Sequence, residues 1–203
     1  MDDGARVRSS GTVAVLGLRP WSPWREQDAA AVLTALSAPE MSRQTAGEPV
    51  DSRESASRWI ARREEEERAG TAYAFAVVDG DDVPLGNVAV GAVNHVHATG
   101  WVSYWTAPSA RGRGVATYGC EALARWAFGE LGLFRLELGH RVNNPASCRV
   151  ARAAGFVAEG LQRQKLAYEG VRYDVELHAR LASDLPVAAS GGFPSPTSPG
   201  KPP

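Results

Sequence analysis

Arg111, Gly112, Arg113, Gly114, Val115, Ala116 and Thr117 are the residues whose types and spacing point most directly to chemistry. Two glycines one residue apart let the backbone adopt conformations other residues resist and approach a ligand closely. If a helix begins there, the unpaired N–H groups of its first turn converge on anionic oxygens such as those of a phosphate. Two common phosphate-binding patterns do not fit. A nucleotide-triphosphatase loop places Lys and then Ser or Thr after its last glycine, where Val115 and Ala116 stand. A dinucleotide fingerprint needs three glycines in a parallel βαβ unit, and only two are present. What remains is Arg111, two residues, Gly114, one residue and Ala116; an ordinary strand-to-helix turn with a surface arginine pair competes with the anion-cradle reading.

A second group follows some thirty residues later. Asn144 is a good helix N-cap, Pro145 suits the first helical position and Ser147 is a first-turn hydroxyl. Cys148 beside Ser147 invites a nucleophile hypothesis, but a thiol nucleophile needs a base aimed at it and the sequence does not place His140 there, so an inert thiol is expected. His95 and His97 stand two apart in a loop with no further ligand nearby, and Cys120 and Cys148 form no metal pair with the four histidines by spacing. No metal ligand is assigned.

The elements that must hold these residues follow from periodicity. Val13, Val15 and Leu16 to Leu18 suggest a first strand ending before Pro20, and Ala29, Val32, Leu33 and Leu36 the buried stripe of a helix over Arg25 to Ser37. Pro39 to Pro49 reads as a loop that either connects elements or borders a substrate opening. Asp51 with Glu54 three residues on resembles a capping box, and Ala56, Trp59 and Ile60 supply the buried face of the helix it starts. The run Arg62 to Arg68 pairs Arg62 with Glu66, Arg63 with Glu67 and Glu64 with Arg68 on a solvated face ending at Gly70. Tyr73 to Val78 and Leu85 to Val93 flank Asp79, Gly80, Asp81 and Asp82 as a hairpin, and Trp101 to Thr106 forms a third strand before Pro108. Val115, Cys120, Leu123, Ala124, Ala127, Phe128 and Leu131 then recur at helical spacing up to Gly132. Phe134, Leu136 and Leu138 alternate as the apolar face of a strand, a helix runs from Asn144 to Gly155, and Phe156 to Tyr168 and Val171 to Leu181 close the fold around Glu169 and Gly170. The order is an α+β layout with a mostly antiparallel sheet.

The chain has 203 residues, 44% hydrophobic and 22% charged, which suits one domain over residues 13–182 between a disordered lead, 1–12, and a Pro/Ser/Gly-rich tail, 183–203. A net charge of -1 advertises no nucleic-acid or anionic membrane surface. The polar N-terminus and the lack of a spanning apolar run point to a cytoplasmic protein with no membrane partner.

The order of elements, the Arg111–Gly114–Ala116 turn and the block of Asn144, Ser147, Gly155, Phe156, Glu159, Gly160, Gly170 and Asp174 resemble the Gcn5-related N-acetyltransferase (GNAT) superfamily, and within it the RimJ/RimL-like branch that acetylates N-terminal amines of ribosomal proteins. The resemblance implies a seven-stranded, mostly antiparallel sheet flanked by about four helices, acetyl-CoA or another acyl-CoA as co-substrate, and a homodimer as one compatible assembly. It implies that the Trp101 strand and the next strand splay apart for the pantetheine arm beside Trp105 and Thr106. Arg111, Gly112, Arg113, Gly114, Val115, Ala116 and Thr117 would hold the diphosphate, and Asn144 and Ser147 would contact the cofactor near its sulfur. Asn144 reads equally as a plain N-cap and Ser147 as a plain first-turn hydroxyl.

The chain departs from the family where the catalytic acid and base are usual. Trp101 stands at the position of a Glu base, Ala151 at that of a Tyr acid, and Leu166 where the ribosomal-protein enzymes place a Glu. Ser147 is the one matched catalytic candidate, and the base is water-relayed, His95 or His97, or missing. The expected activity is acyl transfer to a primary amine, at a protein N-terminus or on a small molecule such as an amino sugar or polyamine. Succinyl transfer and a non-catalytic acyl-CoA-binding module are the alternatives.

Overall fold

In the computed structural model, which describes residues 16–21, 26–37, 41 and 49–184, the chain runs β1 (Gly17–Pro20), α1 (Glu26–Leu36), α2 (Arg53–Arg68), β2 (Tyr73–Val78), β3 (Pro84–Asn94), β4 (Thr99–Thr106), a 3₁₀ turn (Pro108–Ala110), α3 (Val115–Gly129), β5 (Arg135–Arg141), α4 (Pro145–Ala153), β6 (Val157–Tyr168) and β7 (Val171–Leu181). The strands form one sheet in the order β1-β2-β3-β4-β5-β7-β6, antiparallel everywhere except between β4 and β5. The expected lead and tail lie outside the described residues, apart from Ser183 and Asp184, which join a 3₁₀ turn in which the Asp184 carboxylate accepts from the Leu181 N–H. Val13, Val15 and most of the Pro39 to Pro49 loop also lie outside them.

Helices cover both faces of the sheet. Alternate residues of β2 therefore enter different cores: Tyr73, Phe75 and Val77 pack under α3 and α4, while Ala74, Ala76 and Val78 pack under α1 and α2. The second core closes on three indoles, with Trp21 5.4 Å from Trp59 and 6.0 Å from Trp105 between ring centres. Gly119 brings α3 down onto the sheet, where an added Cβ would stand 2.8 Å from Val77 and 3.3 Å from Val88.

The structure corrects several local expectations. The cap of α2 is Ser52, whose hydroxyl accepts from the Ser55 N–H while Ser55 Oγ accepts from the Ser52 N–H; Asp51 and Glu54 are one residue early. A carboxylate is not needed for the reciprocal pattern, because a serine hydroxyl accepts as well. Arg63 pairs with Glu66, as Arg62 does, and not with Glu67. Phe134 is half exposed and precedes β5, because its N–H, like that of Arg135, is spent on the Ala98 carbonyl in the turn between β3 and β4. The α3 helix ends at Gly129, one turn before Gly132.

Candidate functional site

The turn and the gap expected beside it are adjacent. Chain pairing between β4 and β5 covers Thr99, Gly100 and Trp101 against Arg135, Leu136 and Glu137 and then stops, although β4 continues to Thr106 and β5 to Arg141. From Val102 onward β4 keeps β3 as its ladder partner on one side while its other side is parted from β5 in a wedge. After Thr106 the chain needs only the 3₁₀ turn and a short glycine turn to reach α3, so the mouth of that helix follows directly on the end of β4 that has left β5.

At that mouth Gly112 and Gly114 have φ of +74° and +78°, and a Cβ at either would meet nothing within 4 Å. Left-handed backbone at both positions is what L side chains resist, and the empty surroundings leave room for a ligand. Gly114 caps α3 with no side chain to accept from its first N–H groups, and the first helical bond runs from the Tyr118 N–H to the Gly114 carbonyl. The amides of Val115, Ala116 and Thr117 thus lie in the orphan first turn. Arg111 and Arg113 are exposed on the same turn. The turn thus presents uncapped first-turn amides at the positive end of a helix, with two exposed arginines beside them.

The opposite wall is the start of α4. Asn144 Oδ1 accepts from the Ser147 N–H at 3.2 Å, so the Asn144 side chain acts as an N-cap, and Ser147 is half-buried. Across the wedge, the Tyr104 hydroxyl on β4 donates to the Ser147 carbonyl at 3.4 Å. Burial pushes the Tyr104 phenol up to about 12, so it stays protonated at neutral pH and can donate. Sequence reasoning passed over Tyr104; alternation along β4, which puts it on the face of Val102 and Thr106, was the available signal. Trp105 lies deeper than its expected role suggests. Its indole is buried beside Trp21 and Trp59, and Thr106, half-buried, pairs with Gly86 on β3.

On the other face of the sheet an open cleft of about 480 Å³ is lined by Arg63, Glu66, Trp101 and Ser103 among others. Lys165 from β6 lies over the Trp101 ring at 4.8 Å, and Leu166 sits opposite Tyr173. His95 and His97 occupy the exposed turn between β3 and β4, where His95 Nε2 lies 3.3 Å from the Gly70 carbonyl. The fold also gathers four residues that spacing kept apart: His140, Cys148, Glu176 and His178 have ligand atoms within 4.8 Å of one another. No helix among the described residues is long and apolar enough to cross a membrane.

Comparison with known proteins fits this geometry. Residues 16–157 match the family model described as an acetyltransferase (GNAT) domain. An Escherichia coli ribosomal-protein-serine acetyltransferase is 29% identical over 112 residues, 55% of this chain and 62% of the relative. A Bacillus subtilis protein named "Probable N-acetyltransferase YjcK" is 34% identical over 86 residues, 42% of this chain and 48% of the relative. The chain thus spans about half to three fifths of the length of these relatives. The solved structure of Mycobacterium smegmatis RimJ in complex with CoA-disulfide superposes with a TM-score of 0.76 at 28% identity, covering 86% of this chain and 85% of that one. A chimeric spermidine N-acetyltransferase from Vibrio cholerae shares the fold at 21% identity, with a TM-score of 0.69 over 83% of this chain and 96% of its own.

Proposed function

Because the chain belongs to the GNAT acetyltransferase family, whose model covers residues 16–157, we propose that it transfers an acetyl group from acetyl-CoA to a primary amine, and that the amine is a protein N-terminus. The observation that carries this reading is the early end of β4–β5 pairing beside the uncapped mouth of α3. It supports a slot for the thiol-bearing arm next to a cradle for its diphosphate. The ribosomal-protein relative and the RimJ likeness support the N-terminal amine.

The residues then have distinct parts. The amides of Val115, Ala116 and Thr117, with Arg111 and Arg113, hold the diphosphate. The main chain at Trp105 and Thr106 lines the arm, since the Trp105 ring is engaged in the core. A neutral amine attacks the thioester carbonyl carbon, a C–N bond forms, and a main-chain N–H near Thr106 stabilises the oxyanion. Collapse breaks the C–S bond and the departing thiolate takes a proton from Tyr104 or Ser147, both at the junction of β4 and α4. Trp101 offers no carboxylate as base. The Glu66 carboxylate in the cleft on the α2 side is held by Arg62 and Arg63, so water carries the proton of the incoming ammonium away. Positioning the two substrates supplies a large share of the rate enhancement in such a direct transfer.

The test is incubation with acetyl-CoA and separate sets of N-terminal peptides, aminoglycosides and polyamines, with released thiol as readout. Turnover with peptides alone supports the proposal. Turnover with polyamines or aminoglycosides alone removes the protein N-terminus. Tight acetyl-CoA binding with no thiol release from any amine removes catalysis and leaves an acyl-CoA-binding module, the reading that Trp101 and Ala151 favour.

A further inference from the structure

His140 and Glu176 face each other across β5 and β7, and His178 lies opposite Leu138, one pleat along. All three side chains therefore share the face covered by α4. Cys148 comes down from α4 one turn before the fully buried Ala151. His178 is fully buried and His140 nearly so. His178 Nε2 is 2.8 Å from Glu176 Oε1 and 3.1 Å from His140 Nε2, and Cys148 Sγ is 4.0 Å from the same carboxylate oxygen.

The outer ring nitrogens decide what this arrangement suits. His140 Nδ1 lies 3.1 Å from the Arg141 carbonyl and His178 Nδ1 3.4 Å from the Phe156 carbonyl. Each carbonyl is placed to accept an Nδ1–H, the outer partner that fixes the tautomer of metal-ligating histidines. Both Nε2 atoms then present lone pairs to each other and to a carboxylate. With those tautomers three acceptor atoms stand 2.8–3.1 Å apart in succession, a spacing that a metal ion or a shared proton between them must relieve. A thiolate and a carboxylate balance a doubly charged ion, and Arg152 Nη2 closes the outer side 3.7 Å from Glu176.

We propose that His140, Cys148, Glu176 and His178 form a tetrahedral site for a divalent transition metal, best matched by Zn²⁺. Two imidazoles, one thiolate and one carboxylate are a zinc donor set, and bond lengths of about 2.0–2.3 Å place such ligand atoms about 3.3–3.8 Å apart, within about 1 Å of their present spacing. Four protein ligands leave no open position, so the role is structural. The ion ties α4, whose first turn carries Asn144 and Ser147, to β5 and β7 and so fixes one wall of the wedge. This rests on the ligand cluster alone and not on acetyl transfer.

The test uses the full chain stripped with EDTA and titrated with Zn²⁺ and, separately, Co²⁺. One equivalent should bind, the cobalt form should show a thiolate-to-metal charge-transfer band, and Zn²⁺ at a hundred times its Kd should raise Tm by roughly 5–10 °C. Cys148→Ser should abolish the charge-transfer band, and Cys148→Ser and Glu176→Gln, both half-buried, should each weaken binding at least tenfold. Lack of saturable binding overturns the site and leaves a proton shared among His140, His178 and Glu176. Binding that both variants leave unchanged also overturns it, because the metal then sits elsewhere.

Discussion

Replacing Gly114 by Val separates a cofactor cradle from an ordinary turn. Gly114 has φ of +78°, and a Cβ there would touch no protein atom within 4 Å, so the substitution costs backbone strain and no packing. A left-handed L residue costs about 1–2 kcal/mol, or roughly 2–8 °C in Tm for a domain of this size. Gly132, just past the C-terminal end of α3, is an internal control: its φ is +70° and a Cβ there also meets nothing within 4 Å. Gly132→Val should show a similar thermal loss. If the diphosphate rests on the turn, the branched side chain of Gly114→Val enters its space and tilts the first-turn amides, and acetyl-CoA affinity should fall well over tenfold, at least about 1.4 kcal/mol. Calorimetric titration of both variants, with thermal melts alongside, measures the two effects. Equal acetyl-CoA affinity in Gly114→Val, Gly132→Val and the unaltered chain would refute the cradle.

Arg111→Ala and Arg113→Ala should each weaken acetyl-CoA binding severalfold and flatten its dependence on salt concentration, since both act as charges on an exposed turn; a salt dependence identical to that of the unaltered protein counts against their role. Tyr104→Phe should lower kcat with little change in KM if its hydroxyl protonates the departing thiolate, and the alkaline limb of the pH–rate profile should move. Gly119→Val should destabilise by about 1–3 kcal/mol in urea titration, because its side chain meets Val77 and Val88 in a packed interface. Burial holds the Cys120 thiol up to about 12, so in EDTA one cysteine should react promptly with Ellman's reagent and the second only on unfolding. The buried Cys120 and Tyr104 also bear on alkaline stability. Both values are raised in the folded chain, so the unfolded chain loses these protons first, and stability should be complete below about pH 9 and decline between about pH 9 and 12. A urea midpoint that stays constant across that range contradicts their burial.

Much of the fold was legible because it is written in local terms. Alternation along Leu136 and Leu138, helical spacing from Val115 to Ala127 and the Asn144–Pro145 cap each depend on a few neighbouring residues and on the fixed geometry of strand and helix. The unusual backbone at Gly112 and Gly114 was legible for the same reason, since positive φ is a property of single residues. Single-residue registers were less secure: Ser52 in place of Asp51 as a cap and Phe134 outside its strand both turned on which neighbour took a hydrogen bond first.

Tertiary structure decided what depends on strands remote in sequence. Where β4 parts from β5 is set by the packing of whole layers, and this length of pairing made the wedge and brought Tyr104 to Ser147. The same parting of near and far turned the Trp105 ring into a core with Trp21 and Trp59. It also set His140, Cys148, Glu176 and His178 together, residues that no spacing rule joins, because their common face exists only once β5, β7 and α4 have packed. Sequence fixes which backbone shapes each segment prefers; contacts between distant segments fix which side chains meet, since those contacts form only when the chain has closed its loops.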